Sequence, residues 1–219
     1  CPHDDYLYAA RSYRQVLPLL KARTVVLVGV FHKYRAFGMR DVLVFDDYRA
    51  WRAPDGEVSV SPLRDALLAR LPAGVAVTSA AAHDREHSLE ALVYLLRHLR
   101  PDLEIVPIIV PAASFDRLAE LARAAAAALA GAMRERGLAL GADVAIAISS
   151  DAVHYGPDFA YTPYGDGGVP AYVNAYSRDA DLLTGPLAGT MTREKTAAFY
   201  EACVDPADPT RYRLTWCGR

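Results

Sequence analysis

The chain has 219 residues, with 24 Lys plus Arg against 26 Asp plus Glu and a formal net charge of −2. That length suits one α/β domain, and a balanced charge with no run of five or six like charges argues against a nucleic-acid-binding or membrane-surface protein. The longest apolar run, residues 124–132, is about half the ~20 residues needed to cross a bilayer. Cys1, Cys203 and Cys217 form no Cys-x-x-Cys pair. Neither a disulfide framework nor a zinc ribbon is indicated, and the expected compartment is the reducing cytoplasm. The chain opens on Cys1 instead of Met, so a segment upstream is expected to be missing.

Residues 24–30 (TVVLVGV) are a continuous apolar run rich in β-branched side chains, which predicts a strand buried on both faces. Shorter runs at 41–46 and 74–78 predict further strands. Between them, Ser61 as N-cap and Pro62 at the first helical position start a helix that runs to about Leu71. Over 88–100, Leu89, Leu92, Leu95, Leu96 and Leu99 recur at spacings of three and four and make one apolar helical face. Residues 104–110 (EIVPIIV) read as another buried strand, in which Pro107 predicts an edge position or a bulge. A helix starts at Ser114, continues through the Ala-rich stretch to Met133 and stops at Gly137. A strand at 143–149 and helices at 172–183 and 192–203 complete the chain. The alternation predicts a single α/β domain over 1–219 with a central, mainly parallel or mixed sheet and helices on both faces.

In such sheets ligands bind where the strands end, because side chains on the following loops converge there. His32 lies two residues past one strand and His154 just past another, while His3 precedes the first regular element. The segment 149–156 (SSDAVHYG) packs two hydroxyls, a carboxylate, an imidazole and a phenol into eight residues. There His154 suits a general acid or base near neutral pH, with Asp151 to fix its tautomer or bond substrate; the plainer alternative is a hydrogen-bonded turn. No Gly-x-Ser-x-Gly elbow supports a serine hydrolase. Residues 83–87 (HDREH) match His-x-x-Glu-His, in which two histidines on one helical face bind zinc and the glutamate activates water. Five residues are a short motif, and no partner glutamate stands out.

The order of motifs carries a resemblance. Pro2-His3-x-x-Tyr6, a strand ending Gly29-x-x-His32, Glu86-His87-Ser88-Leu89-Glu90, Val106-Pro107-Ile108, Ser149-Ser150-Asp151-x-x-His154-Tyr155-Gly156 and Cys217-Gly218 follow one another along the whole chain. This pattern resembles the Memo family, which includes the bacterial AmmeMemoRadiSam system protein B and is related in fold to class III extradiol dioxygenases. The resemblance implies metal ligands at His3, His32 and Cys217, with His154 and Asp151 as the catalytic pair. It also implies that Tyr6, Glu86, His87 and Tyr155 line or support a substrate cleft, with His83 a bystander. Two imidazoles and a thiolate leave open positions on a divalent metal: Fe(II) is expected, with copper and zinc as softer competitors. The chain departs from the family pattern at Asp4-Asp5 and at Val30-Phe-His-Lys33. Asp4 or Asp5 would add a hard carboxylate if either joined the metal, or else would face solvent or cap a turn.

The leading expectation is an iron-dependent, oxygenase-like redox enzyme acting on a small molecule, with a non-catalytic metal-binding scaffold as the alternative and a zinc peptidase behind both. Tyr6, Tyr8, Tyr34, Tyr155, Tyr161 and Tyr164 crowd the same motifs and suit a planar or phenolic ligand, unless they are ordinary packing. A homodimer is expected, and the resemblance implies a radical SAM pathway partner.

Overall fold

A computed structural model describes residues 1–3 and 5–218. The chain divides into two compact units, 1–151 and 152–219.

The first unit runs α1 (Tyr6–Val16), β1 (Thr24–Val30), β2 (Leu43–Phe45), β3 (Ala50–Ala53), β4 (Gly56–Val60), α2 (Leu63–Leu68), β5 (Ala76–Thr78), α3 (Ala80–His83), α4 (Glu90–Leu99), β6 (Glu104–Val110), α5 (Phe115–Glu135) and β7 (Val144–Ile148). All seven strands join one mixed sheet whose main path is β3-β4-β6-β1-β7, with β2 bridging β6 and β5. The pairs β1/β6, β1/β7, β4/β6 and β2/β5 are parallel, whereas β3/β4 and β2/β6 are antiparallel. The predicted α/β class with a mostly parallel central sheet is therefore observed.

Strand alternation sends successive side chains to opposite faces. Val25 and Leu27 of β1 and Ile105 and Ile109 of β6 pack with Tyr13 of α1 and Leu92, Val93 and Leu96 of α4. Val26, Val106 and Ile108 pack instead with Leu63 and Leu67 of α2 and Leu121, Leu129 and Met133 of α5. Helices thus cover both faces, and the β1 and β6 runs are apolar past their first residues because neither face meets water.

Pro107 is a correction. It sits at neither an edge nor a bulge: β6 is an interior strand, and Pro107 lies opposite Leu27 in an unbroken register. The missing N–H costs no ladder bond because of where it points. Glu104 and Val110 bond toward β1, since Glu104 N–H donates to Arg23 and Val110 O accepts from Phe31. Ile105 O faces the other side, where it accepts from Ser61. Pro107, two residues on, faces that same side, and there β4 ends at Ile105 while β2 begins at Ile108. The proline occupies the gap between two short partners.

The second unit holds α6 (Gly168–Thr184), α7 (Arg193–Cys203) and the antiparallel pair β8 (Val204–Asp205) and β9 (Asp208–Tyr212). Thr192 caps α7 by accepting from Lys195 N–H. Phe199 of α7 meets Trp216 edge to face with centroids 5.0 Å apart. Among the described residues, no helix is long and apolar enough to cross a membrane.

Candidate metal centre

The C-terminal ends of β1 and β7 deliver the polar residues of the first unit to one place. The N-terminal residues run beside the end of β7: Ser150 N–H donates to Cys1 O at 2.8 Å, Tyr13 OH donates to Pro2 O at 2.5 Å, and His3 N–H donates to Asp151 Oδ1 at 2.6 Å. His3 is thereby fixed by its backbone and buried. Two residues beyond β1, His32 N–H donates to Glu86 Oε2 at 2.5 Å. Glu86 is buried, and its Oε1 also accepts from the N–H groups of His87 and Ser88, each at 2.9 Å.

These contacts settle the two ring tautomers. Ser149 Oγ gives its one proton to Ser88 O, so toward His3 Nδ1, 2.9 Å away, it is the acceptor. The His3 proton therefore sits on Nδ1 and the lone pair on Nε2. Glu86 Oε1 likewise accepts from His32 Nδ1 at 2.7 Å, which leaves Nε2 as the His32 nitrogen a metal would take. His87 stacks on His32 with centroids 4.6 Å apart and planes 13° from parallel, and both rings lie edge-on to His3. One ring nitrogen from each of His3, His32 and His87 falls within 4.8 Å of the others. Asp151 Oδ2 is 3.4 Å from His3 Nε2.

The electrostatics suit a cation. Burial, followed by the neighbouring His32 and His87, pushes the His3 pKa down to about 4 against the pull of Asp151, so the ring is neutral at physiological pH. Burial would raise the Glu86 pKa, but the hydrogen bonds from the His32 ring and from the Ser88 and His32 amides outweigh it, and the net shift is downward. A neutral His3 ring oriented through Nδ1 by a hydroxyl, and a His32 ring oriented through Nδ1 by a carboxylate, are what a divalent metal requires of histidine ligands, so the residues present fit one.

Glu86 and His87, expected as cleft residues, thus stand at the cluster itself, Glu86 as the orienter of His32 and His87 as a third imidazole. Asp151, expected beside His154, has its carboxylate on His3. Tyr6 opens α1 and donates its hydroxyl to Ala91 O at 3.3 Å. Asp5 occupies the N-cap position of α1 and, among the described residues, joins no cluster of ligand atoms; Asp4 lies outside the described residues. Sequence reading missed Ser149 as the hydroxyl that orients His3, and Ser88 as the residue whose backbone N–H bonds Glu86 and whose carbonyl accepts from Ser149. Their signal was adjacency, Ser88 to the Glu86-His87 pair and Ser149 to the end of a buried strand.

The His-x-x-Glu-His reading does not hold in three dimensions. α3 ends at His83 and α4 begins at Glu90, so residues 84–89 form a turn and the two histidines share no helical face. The buried His83 ring bonds Val44 O through Nε2 at 3.2 Å, and Glu86 is committed to His32. Of the expected tyrosines, Tyr34 is buried core and Tyr8 is 70% exposed.

In the second unit, His154 stacks on Phe159 with centroids 4.6 Å apart, and its N–H donates to Thr215 O. Cys217 is half-buried and its N–H donates to Ala152 O. Tyr155 donates to Asp179 at 2.9 Å, and burial with that bond drives its pKa well above the usual tyrosine value. Tyr155, Tyr161 and Tyr164 gather with Tyr172 around a cavity of about 270 Å³.

A mixed α/β sheet with an imidazole cluster at its strand ends defines the class of protein. The whole chain, residues 1–219, matches the model for "Memo-like protein", and the chain belongs to that family. A MEMO1 family protein of Archaeoglobus fulgidus is 35% identical over 158 residues, covering 72% of this chain and 54% of that one. MEMO1 family proteins of Thermococcus onnurineus and Thermococcus kodakarensis are 28% and 29% identical over 171 residues, covering 74% of this chain and 54% of theirs. The chain spans about half the length of the curated relatives it matches.

Proposed function

We propose that this chain is a metal-dependent redox enzyme that holds a divalent metal, Fe(II) foremost, and acts on a small phenolic or otherwise planar molecule. The observation that carries the reading is the convergence of three imidazole nitrogens within 4.8 Å, two of them with their tautomers fixed by Ser149 and Glu86. His3 and His32 would hold the metal, with His87 offering a further nitrogen; the family pattern alone adds Cys217 as a thiolate ligand and His154 as the acid–base group. Asp151 Oδ2, 3.4 Å from His3 Nε2, adds a hard oxygen that favours iron over copper. Bound there, a divalent metal supplies Lewis-acid and redox chemistry at the positions the protein leaves open. The chain's own part is to keep both rings deprotonated at Nε2, to hold them against rotation, and to bury His3 away from water. The same proposal places the protein in the cytoplasm, with a homodimeric assembly and a radical SAM pathway partner.

The test is oxygen uptake by protein loaded anaerobically with ferrous ion and offered a panel of catechols and related phenols. Turnover above the free-metal background that disappears in His32→Ala supports the reading. Retention of metal with no uptake across the panel overturns the enzyme and leaves a metal-binding scaffold.

A further inference from the structure

In the second unit, α6 (Gly168–Thr184) carries an apolar stripe that faces solvent. Val169, Tyr172, Val173, Tyr176 and Leu183 are all more than half exposed, from 53% at Val173 to 75% at Val169. With the half-buried Ala180 they recur three and four residues apart, which sets them on one helical face. Tyr172 and Tyr176 stack along it with centroids 6.3 Å apart. Leu182 is buried, and Ala171 and Ala175 line the tyrosine cavity. These mark the covered side of α6, roughly 100–140° round the helix from Tyr176.

Single exposed apolar side chains are ordinary, but a continuous patch of several hundred Å² marks a binding surface. At these exposures the five side chains present roughly 600 Å², so two such faces in contact would bury about 1,200 Å², the lower bound of a specific protein interface. The pattern also says what fits it. Positions 169, 172, 176, 180 and 183 are separated by three, four, four and three residues, so the stripe reads the same in both directions about Tyr176. Two identical helices laid antiparallel about a two-fold axis at Tyr176 would bring Val169 against Leu183 of the second copy, Tyr172 against Ala180, and Tyr176 against its own counterpart. On each side of the axis a large ring then faces a small side chain, as close helix packing requires. The charges agree. Those of α6 are Arg178, Asp179 and Asp181, which this register sets opposite Asn174, Val173 and Ala171, so no like charges meet. Arg178 and Asp179 are moreover bonded within the chain, to the Tyr161 and Tyr155 hydroxyls.

We propose that α6 is the interface of a homodimer, its stripe packed antiparallel on the α6 of a second copy. This deepens the homodimeric assembly proposed above, on which it rests, and is independent of the metal centre.

Sedimentation velocity of chelator-treated protein from about 1 to 200 µM tests it. The expected result is a monomer that gives way to a dimer with a midpoint below about 100 µM, as an interface of this size allows. Tyr176→Glu, at an exposed position, would set two like charges together at the axis and should weaken association at least about tenfold while circular dichroism is unchanged. Val169→Glu and Leu183→Lys should each weaken it, and the two combined should recover part of the loss, because these positions meet only in the antiparallel register. A chain that stays monomeric throughout would overturn both this interface and the homodimer. A dimer indifferent to Tyr176→Glu would keep the homodimer and overturn the interface, and a combined variant no tighter than either single one would overturn the antiparallel register.

Discussion

Glu86 shows how much one side chain can organise. Its carboxylate accepts from the His32 ring, the His32 amide and the His87 and Ser88 amides, and so fixes both the loop after β1 and the turn before α4. Replacing it by Gln keeps the shape but puts an amide N–H where an acceptor is needed. Glu86→Gln should lower affinity for added divalent metal by about 10- to 100-fold with little loss of secondary structure, measured by competition with a chromophoric chelator. Gly29 is the other sensitive residue. A Cβ there would lie 2.5 Å from Ser88 Oγ and 2.7 Å from Leu89 Cδ2, so Gly29→Ala must push the α4 turn away from β1. Overpacking of this kind costs about 1–3 kcal/mol, read as a lower denaturation midpoint. At this scale the sequence exposed chemistry but not pairing. His3, His32 and Glu86 could be singled out from their motifs, whereas the bonds of Ser149 to His3 and of Asp151 to His3 join residues nearly 150 positions apart, which no local pattern encodes.

Among the elements, legibility followed burial. β1 and β6 lie at the predicted residues, since strands covered on both faces must be apolar along their length, here after Thr24 and Glu104. The Leu-rich helix shortened to Glu90–Leu99 because Ser88 and Leu89 are taken up by the turn behind Glu86. Several elements went unread: α1, whose exposed Leu7 and Tyr8 blur its apolar stripe, the four-residue α3, and the β3–β4 and β8–β9 pairs, which are short and largely solvated strands. Pro107 was misplaced because its tolerance depends on where two neighbouring strands stop. α5 depends on its start. Ser114 accepts from Arg117 N–H as the N-cap of this 21-residue helix, so Ser114→Ala should cost about 1 kcal/mol in denaturant unfolding while metal content stays unchanged.

For the whole molecule, acid is the expected weakness. Burial lowers the pKa of both His3 and His83, the former to about 4, so the folded chain keeps these rings neutral while the unfolded chain takes up protons below about 6.5. The stability they contribute is complete above that value and falls as pH drops toward the folded pKa values. Glu86, with its pKa lowered, contributes stability that is present above the ordinary carboxylate range and is lost on further acidification. All three act in one direction. Chelator-treated protein should unfold at lower denaturant at about pH 5 than at about pH 7.5; a flat or inverted dependence would contradict this. The central claim is the metal centre, and the most direct measurement is the metal content, by mass spectrometry, of protein purified without chelator beside His3→Ala, His32→Ala and His83→Ala. The account predicts near-stoichiometric metal in the parent protein and His83→Ala and its loss in the other two. A parent protein that carries no metal and takes up none when offered ferrous ion without oxygen would contradict it.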